Sequence, residues 1–316
     1  MSAELLVVAI GGNALLRAGQ PASAVAQFEN ALETAGPLLE LVREGFGLVI
    51  THGNGPQIGA ALLRSELAAE QAYPLPYDCC VAQTQGEIGY VLQYALWQRA
   101  QQAGLHVPVV TVVTQVRVDP DDPAFAHPSK PVGSFYPRER AAELRREHGF
   151  ALVEEEGRGV RRVVPSPRPR EIVELDAIRA CLAEGLVVIA AGGGGVPVFN
   201  DKDTAKGVEA VIDKDLTSAV LASQLGAGRF VVLTAVDSIA LDHGTPAERP
   251  LDRLAASEAR AWLAAGQFPE GSMGPKVEAA LLFLERGGRE ALVTDAPHLL
   301  RAIAGEAGTR IVPDPP

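Results

Sequence analysis

Lysine is scarce in this chain, and the places where it survives are informative. Of 28 basic residues only five are lysines: Lys130, Lys202, Lys206, Lys214 and Lys276. A lysine kept under such a bias marks a position that wants a compact point charge, where the guanidinium fork does not fit. Lys214 lies in the second of two Asp-Lys-Asp triplets, residues 213–215, just ahead of the helical "LTSAVLASQL". There Asp215 can orient a cation while Lys214 points into a strand-end cleft; a plain helix cap by Asp213 or Asp215 is the competing reading. Lys276 lies in "PEGSMGPKVEAALLFLERGG", with Gly271 and Gly274 as a flexible approach and Pro275 suited to a first helical turn. A cation at that point adds full charge where backbone N–H groups already favour an anion. The first triplet, residues 201–203, sits among polar turn formers and reads as a hairpin tip in water without a chemical role.

Three glycine clusters supply the complementary half of an anion site. "LLVVAI" runs into Gly11-Gly12-Asn13, "GLVITH" into Gly53-Asn54-Gly55 with Pro56 behind it, and "GLVVIAA" into the four glycines 192–195. Main-chain N–H groups in such turns can converge on a phosphate, because no side chain blocks its approach. The first turn has no cation of its own, since the nearest positive side chain is Arg17, and a helix-compatible stretch follows it directly. Neither the dinucleotide fingerprint nor the P-loop pattern is present. The glycines therefore supply geometry, and Lys214 and Lys276 supply charge from far away in the chain.

Elements must bring these parts together. Short apolar runs, including "VPVVTVVTQV", "RFVVLTAVD" and "EALVTDA", alternate with amphipathic stretches such as "AQFENALETAGPLLELVREG". That rhythm predicts an α/β fold with a parallel sheet covered on both faces and ligands at the carboxyl ends of its strands. The rhythm breaks between about Gln115 and Arg170, where prolines cluster and "GRGVRRVVPSPRPR" gathers arginines. This reads as an inserted, hairpin-containing excursion, either a bland surface insertion or a basic lid. A net charge of −11 argues against nucleic-acid partners, and no apolar run approaches a membrane span. Cys79, Cys80 and Cys181 lack metal or disulfide spacing and read as small buried residues of a reducing, cytoplasmic protein. The six histidines form no metal pair at helical spacing.

The blocks "AIGGNALL", "THGNGPQIG", "TQGEIGY", "DPAFAHPSKPVGSFY", "GRGVRRVVPSPRP", "GGGGVPV", "GVEAVIDKD" and "GSMGPKVEAA", in this order, resemble the carbamate kinases of the amino-acid kinase superfamily. The resemblance implies one domain over residues 1–316: a three-layer α/β/α sandwich with a mainly parallel central sheet and a protruding lid subdomain at 117–168. It implies ATP-dependent phosphoryl transfer to carbamate, with magnesium carried by the nucleotide rather than by protein ligands. It also implies a homodimer, used chiefly to make ATP in arginine or purine catabolism. Carried onto this chain, Lys214 and Lys276 neutralise the migrating phosphoryl group, Asp215 holds both lysines, and Lys130 reaches in from the lid. Gly11, Gly12, Asn13, Gly53 and Asn54 hold carbamate and phosphoryl oxygens. The resemblance assigns nucleotide contacts to Gly193, Gly194, Thr234, Val236, Asp237, Met273 and Gly274. Ala9-Ile10 stand where many superfamily relatives carry a lysine, as in the carbamate branch, where Lys214 takes that duty. After "VVLTAVD" the chain departs from the family: "SIALDHGTPAERP" replaces a tyrosine-bearing stretch bordering the adenine pocket. The alternatives are a kinase of another small carboxylate, such as acetylglutamate, and a catalytically silent nucleotide sensor on the same fold.

Overall fold

The structure is a computed structural model that describes residues 3–315 except 13, 14, 17, 18, 22, 202, 203 and 270. The first apolar run forms β1 (Leu5–Ile10), but the helix expected directly after the glycines is delayed. Leu15 and Leu16 lie in a turn and bend, and α1 (Ala24–Arg43) starts only where Ser23 Oγ accepts from Ala26 N at 3.1 Å. A buried side chain of α1 holds the connection, with Asn30 Nδ2 donating to Leu15 O at 3.0 Å.

The chain continues through β2 (Gly47–His52), α2 (Gly55–Leu67), α3 (Tyr77–Gln102) and β3 (Val109–Thr111). The single run "VPVVTVVTQV" becomes two strands, because β4 (Gln115–Val118) leaves for another sheet. Gln85 of α3 causes the break: its Oε1 accepts from Thr114 N at 2.7 Å and its Nε2 donates to Thr114 O at 3.1 Å. The N–H of Thr114 is thereby taken out of the central sheet, and its carbonyl turns to the other sheet, accepting also from Val196 N at 2.9 Å.

Three antiparallel strands then form a separate sheet in the order β5-β7-β6: β5 (Lys130–Tyr136), β6 (Ala151–Glu155) and β7 (Gly159–Val164), with α4 (Ala141–His148) between the first two. β8 (Pro169–Ile172) returns to β4, and α5 (Leu175–Ala183) leads to β9 (Val187–Ile189). β10 (Val196–Asp201) and β11 (Thr204–Gly207) pair antiparallel with Asp201 opposite Thr204. The expected tip residues Lys202 and Asp203 lie outside the described residues.

The rest of the chain is α6 (Lys214–Leu225), β12 (Arg229–Leu233), the antiparallel pair β13 (Ile239–Leu241) and β14 (Arg249–Leu251), and β15 (Arg253–Ala255). α7 (Ala256–Ala264), α8 (Gly274–Glu285), β16 (Glu290–Thr294), α9 (Leu299–Ala304) and β17 (Thr309–Val312) complete it. The departing segment "SIALDHGTPAERP" is thus largely the β13–β14 hairpin.

Among the described residues the central sheet has eight strands in the order β15-β17-β16-β12-β1-β2-β9-β3. Every neighbouring pair is parallel except β16 with β17. Side chains alternate between its faces. Val7 and Ala9 of β1 pack with Phe230, Ala219, Val277 and Phe283 on the face covered by α6 and α8. Leu6, Val8 and Ile10 pack with Leu38, Leu41, Ile88 and Leu92 on the face covered by α1 and α3. The result is the expected α/β/α sandwich with a mainly parallel sheet. All of these side chains are fully buried, and each fully hidden aliphatic or phenylalanine side chain stabilises the fold by roughly 1.5–3 kcal/mol.

One cysteine expectation needs correcting. Cys80 is buried, but Cys79 is exposed and Cys181 is half-buried. Consecutive helical positions point about 100° apart, so Cys80 faces the core from α3 and its neighbour cannot. Among the described residues no helix is long and apolar enough to cross a membrane.

Candidate active site

Parallel register places the glycine turns on one edge of the sheet. Ile10 stands opposite both His52 and Leu233, and Ile50 stands opposite Ile189, so β1, β2, β12 and β9 end together. Gly11 N donates to Leu233 O and Gly53 N to Ile10 O, each at 3.1 Å, which locks the first two turns side by side. A Cβ on Gly53 would lie 2.9 Å from Gly12 N and 3.4 Å from Lys214 Cδ, so only glycine permits this approach. Gly194 has φ +91, and a Cβ there would lie 2.2 Å from Ile212 O. Asn54 precedes α2 with its Nδ2 donating to Thr84 Oγ1 at 2.9 Å, and it packs directly against Gly193. Asn13 lies outside the described residues.

The charged groups converge from three elements. Asp213 caps α6, its Oδ1 accepting from Asp215 N at 2.9 Å, so the cap reading of the second triplet holds for Asp213. Asp215 binds cations instead: its Oδ1 is 2.5 Å from Lys214 Nζ and its Oδ2 is 3.3 Å from Lys276 Nζ. Lys276, in the first turn of α8, also donates to Ser272 O at 3.0 Å. Lys130, at the start of β5, reaches Asp213 Oδ2 at 3.4 Å. The Asp215 side chain is 5% exposed and those of the two lysines beside it 14%. Burial alone would raise the Asp215 carboxyl, but the adjacent Lys214 and Lys276 charges outweigh it and hold the group below its ordinary value. The three charges leave one positive charge unbalanced at the N-termini of two helices, an arrangement suited to an oxyanion.

His52, buried at the end of β2, lies 3.0 Å through Nδ1 from Gly53 O, which can only accept. Burial first, with the Lys214 charge adding to it against that hydrogen bond, pushes the imidazole down to about 4. The ring is therefore neutral near pH 7, and a Cβ on Gly192 would strike it at 2.4 Å. Buried hydroxyls fix α6 against the sheet edge. Thr51 Oγ1 and Ser218 Oγ are 2.6 Å apart, Ser218 Oγ donates to Lys214 O at 2.6 Å, and Thr217 Oγ1 donates to Gly194 O at 2.9 Å. Sequence reasoning misses all of them, because a threonine or serine next to an apolar run carries no periodic signal.

A cleft of about 330 Å³ opens over this edge. Of the sequence-predicted residues, Gly12, Gly53, Asn54, Gly193, Lys130 and Lys214 line it. Gly11, Gly194, Asp215 and Lys276 do not line it; Asp215 touches the lining residue Lys214, and Lys276 touches Asp215. Thr234, Val236, Asp237, Met273 and Gly274 do not line it. They follow β12 or precede and begin α8; Thr234 N donates to Thr294 O at 2.9 Å, and Asp237 is exposed. Tyr77, Asp213 and Arg161 also line the cleft. In the sequence Asp213 offers only a helix cap, Arg161 is one of five crowded arginines, and nothing around Tyr77 marks it.

Comparison with known proteins agrees with this architecture. Residues 4–295 match the amino acid kinase family. The carbamate kinase of Thermococcus kodakarensis is 45% identical over 97% of this chain and 98% of its own length. Carbamate kinase 3 of Staphylococcus aureus is 46% identical, again over 97% and 98%. Among solved structures, carbamate kinase from Giardia lamblia bound to AMP-PNP superposes with a TM-score of 0.95 at 39% identity, covering 99% of this chain and all of that one. The chain belongs to the amino acid kinase family, in its carbamate kinase branch.

Proposed function

We propose that this protein transfers the γ-phosphoryl group of ATP reversibly to carbamate, giving ADP and carbamoyl phosphate. A carbamate oxygen attacks phosphorus as the bond to the ADP oxygen breaks, and the reverse reaction makes ATP. The observation that carries the reading is the pair of ammonium groups sharing Asp215 beside the Gly12 and Gly53 turns. Phosphoryl transfer needs in-line positioning and charge neutralisation more than covalent help. Lys214 and Lys276 provide the charge, Asp215 keeps both ammonium groups in place, and the glycine amides take the oxygens. Lys130 comes over the cleft from β5. Carbamate is already an anion, so no general base is needed, and none of the groups around the cleft is asked to act as one.

The nucleotide in this reading lies beyond Lys276, against Gly193, Gly194, Thr234, Val236, Asp237, Met273 and Gly274. Magnesium enters with its phosphates. Phosphate and water oxygens suit this ion, which dehydrates reluctantly and keeps several waters when it binds with substrate phosphates. The β5-β7-β6 sheet, within residues 117–168, acts as the lid. The reading carries with it a cytoplasmic location and use in making ATP during arginine or purine breakdown. It also carries a homodimer, supported by the aromatic face of α3, where Tyr90 and Trp97 are 61% and 54% exposed beside the open edge strand β3.

Incubation with ADP and carbamoyl phosphate tests the activity directly: ATP forms if the reading is right. ATP binding without turnover, measured in the same preparation, identifies a silent sensor instead. Turnover with acetylglutamate but not with carbamate identifies the other kinase class.

A further inference from the structure

Five arginines crowd residues 158–170, and four of them are neutralised by carboxylates. Arg158 pairs with Glu155 at 3.0 Å, Arg162 with Glu209 at 2.6 Å, Arg168 with Glu278 at 2.6 Å and Arg170 with Asp119 at 3.0 Å. Arg161 has no such partner among the described residues, yet it is not loose. Its Nε donates to Gly133 O at 3.1 Å, and its guanidinium carbon lies 5.2 Å from the centre of the Phe135 ring. Both restraints come from an irregularity in β5, where the pairing with β7 shifts between Val132 and Phe135 and Gly133 adopts φ +69. The bulge turns a carbonyl toward Arg161, which uses one of its five N–H groups on it. No other hydrogen bond of this guanidinium is made among the described residues, and the residue lines the same cleft as Lys130, Lys214 and Gly12.

A guanidinium fixed at Nε and packed on a ring holds its remaining N–H groups as a planar fork, matched to two oxygens in one plane. The lysines, as point charges, are suited to the tetrahedral phosphoryl group. We propose that Arg161 is a substrate-binding residue whose fork grips the planar carbamate group, or the same end of carbamoyl phosphate, while the lysines hold the phosphoryl. This rests on the carbamate kinase reading. It gives the bulge a purpose: without the register shift, the Gly133 carbonyl would stay in the ladder and the fork would lose its anchor.

The test compares Arg161→Ala and Arg161→Lys with wild type in ATP synthesis from ADP and carbamoyl phosphate. Both variants are expected to raise KM for carbamoyl phosphate at least tenfold and to leave KM for ADP within twofold. Lysine does not rescue, because it lacks the fork, whereas added guanidinium ion recovers part of the alanine variant's activity. Arg158→Ala, which also loses a contact to Phe135 but whose side chain pairs with Glu155, leaves both constants within twofold. Unchanged KM for carbamoyl phosphate in both variants overturns the proposal. So does a parallel rise of both constants with a lowered melting temperature, which marks a purely structural role in the bulge. Wild-type protein that makes no ATP overturns the carbamate reading and this inference with it; active wild type with unaffected variants overturns only the role of Arg161.

Discussion

One carboxylate shared by two ammonium groups decides what substitutions at the site do. In the proposed phosphoryl transfer, removing the Lys276 side chain takes away a preorganised cation worth roughly 3 kcal/mol in the transition state, so Lys276→Ala is expected to lower kcat by about a hundredfold. Near-normal turnover of the purified variant refutes the role. Asp215→Asn leaves two ammonium groups facing each other without a buried counter-charge. It destabilises the fold by about 3–5 kcal/mol, the scale for breaking a buried ion pair, and chemical denaturation measures the loss. At this scale the sequence was partly legible. Lys214 and Lys276 stood out because arginine had replaced lysine nearly everywhere else. The Lys130–Asp213 contact did not, because nothing local links residues 83 positions apart. The Thr51–Ser218 hydroxyl pair, 167 positions apart, was equally invisible. Arg161 could not be told from its four neighbours until their carboxylates were placed.

At the scale of elements, the β5-β7-β6 sheet meets the body through a small apolar cluster, where Val132 and Val164 pack with Ile58, Leu62, Tyr77 and Val81, and through a ring of polar contacts outside the main core. Lys130 meets Asp213, Arg162 meets Glu209, Arg168 just beyond β7 meets Glu278 of α8, and Tyr136 donates to Glu66 at 2.7 Å. Solvent competes with such contacts, so this segment should open more readily than the sheet it covers. ADP is expected to protect residues 117–168 from limited proteolysis; cleavage rates that ADP leaves unchanged refute closure on the nucleotide. Strand periodicity was readable in β1, β2, β9, β12 and β16, since buried parallel strands are nearly continuous apolar runs. The division between β3 and β4 was not, because its cause is the side chain of Gln85 acting from another element. The delayed start of α1 has a similar origin: Asn30 holds back a connection that propensity alone would have made helical.

For the whole molecule, acid stability follows from the buried ionisable groups. His52 binds its proton near 4 when folded, against an ordinary 6.5, so between these values the unfolded chain takes up a proton that the native one refuses. Stability is complete above 6.5 and falls as pH drops toward 4, by about 3 kcal/mol in total from this residue. Asp215 acts at lower pH: its depressed carboxyl contributes stability above its ordinary value of 3.8 that is lost as pH falls through the native value. His52→Gln should flatten the melting-temperature profile between pH 6.5 and 5, and parallel profiles contradict the assignment. Association is testable as well. Trp97→Glu places charge on the exposed aromatic face of α3 and should shift the proposed homodimer to monomer in sedimentation, with an unaltered distribution counting against that interface. The contact of Gly12 with Gly53 has one more consequence. The floor of the cleft is peptide, and an amide has no proton to gain or lose across the range in which enzymes work. The grip proposed for it on an oxyanion would be the same in mild acid and in alkali. A change of turnover with pH then has to arise in side chains, in the substrate or in loss of the fold, and not in this floor.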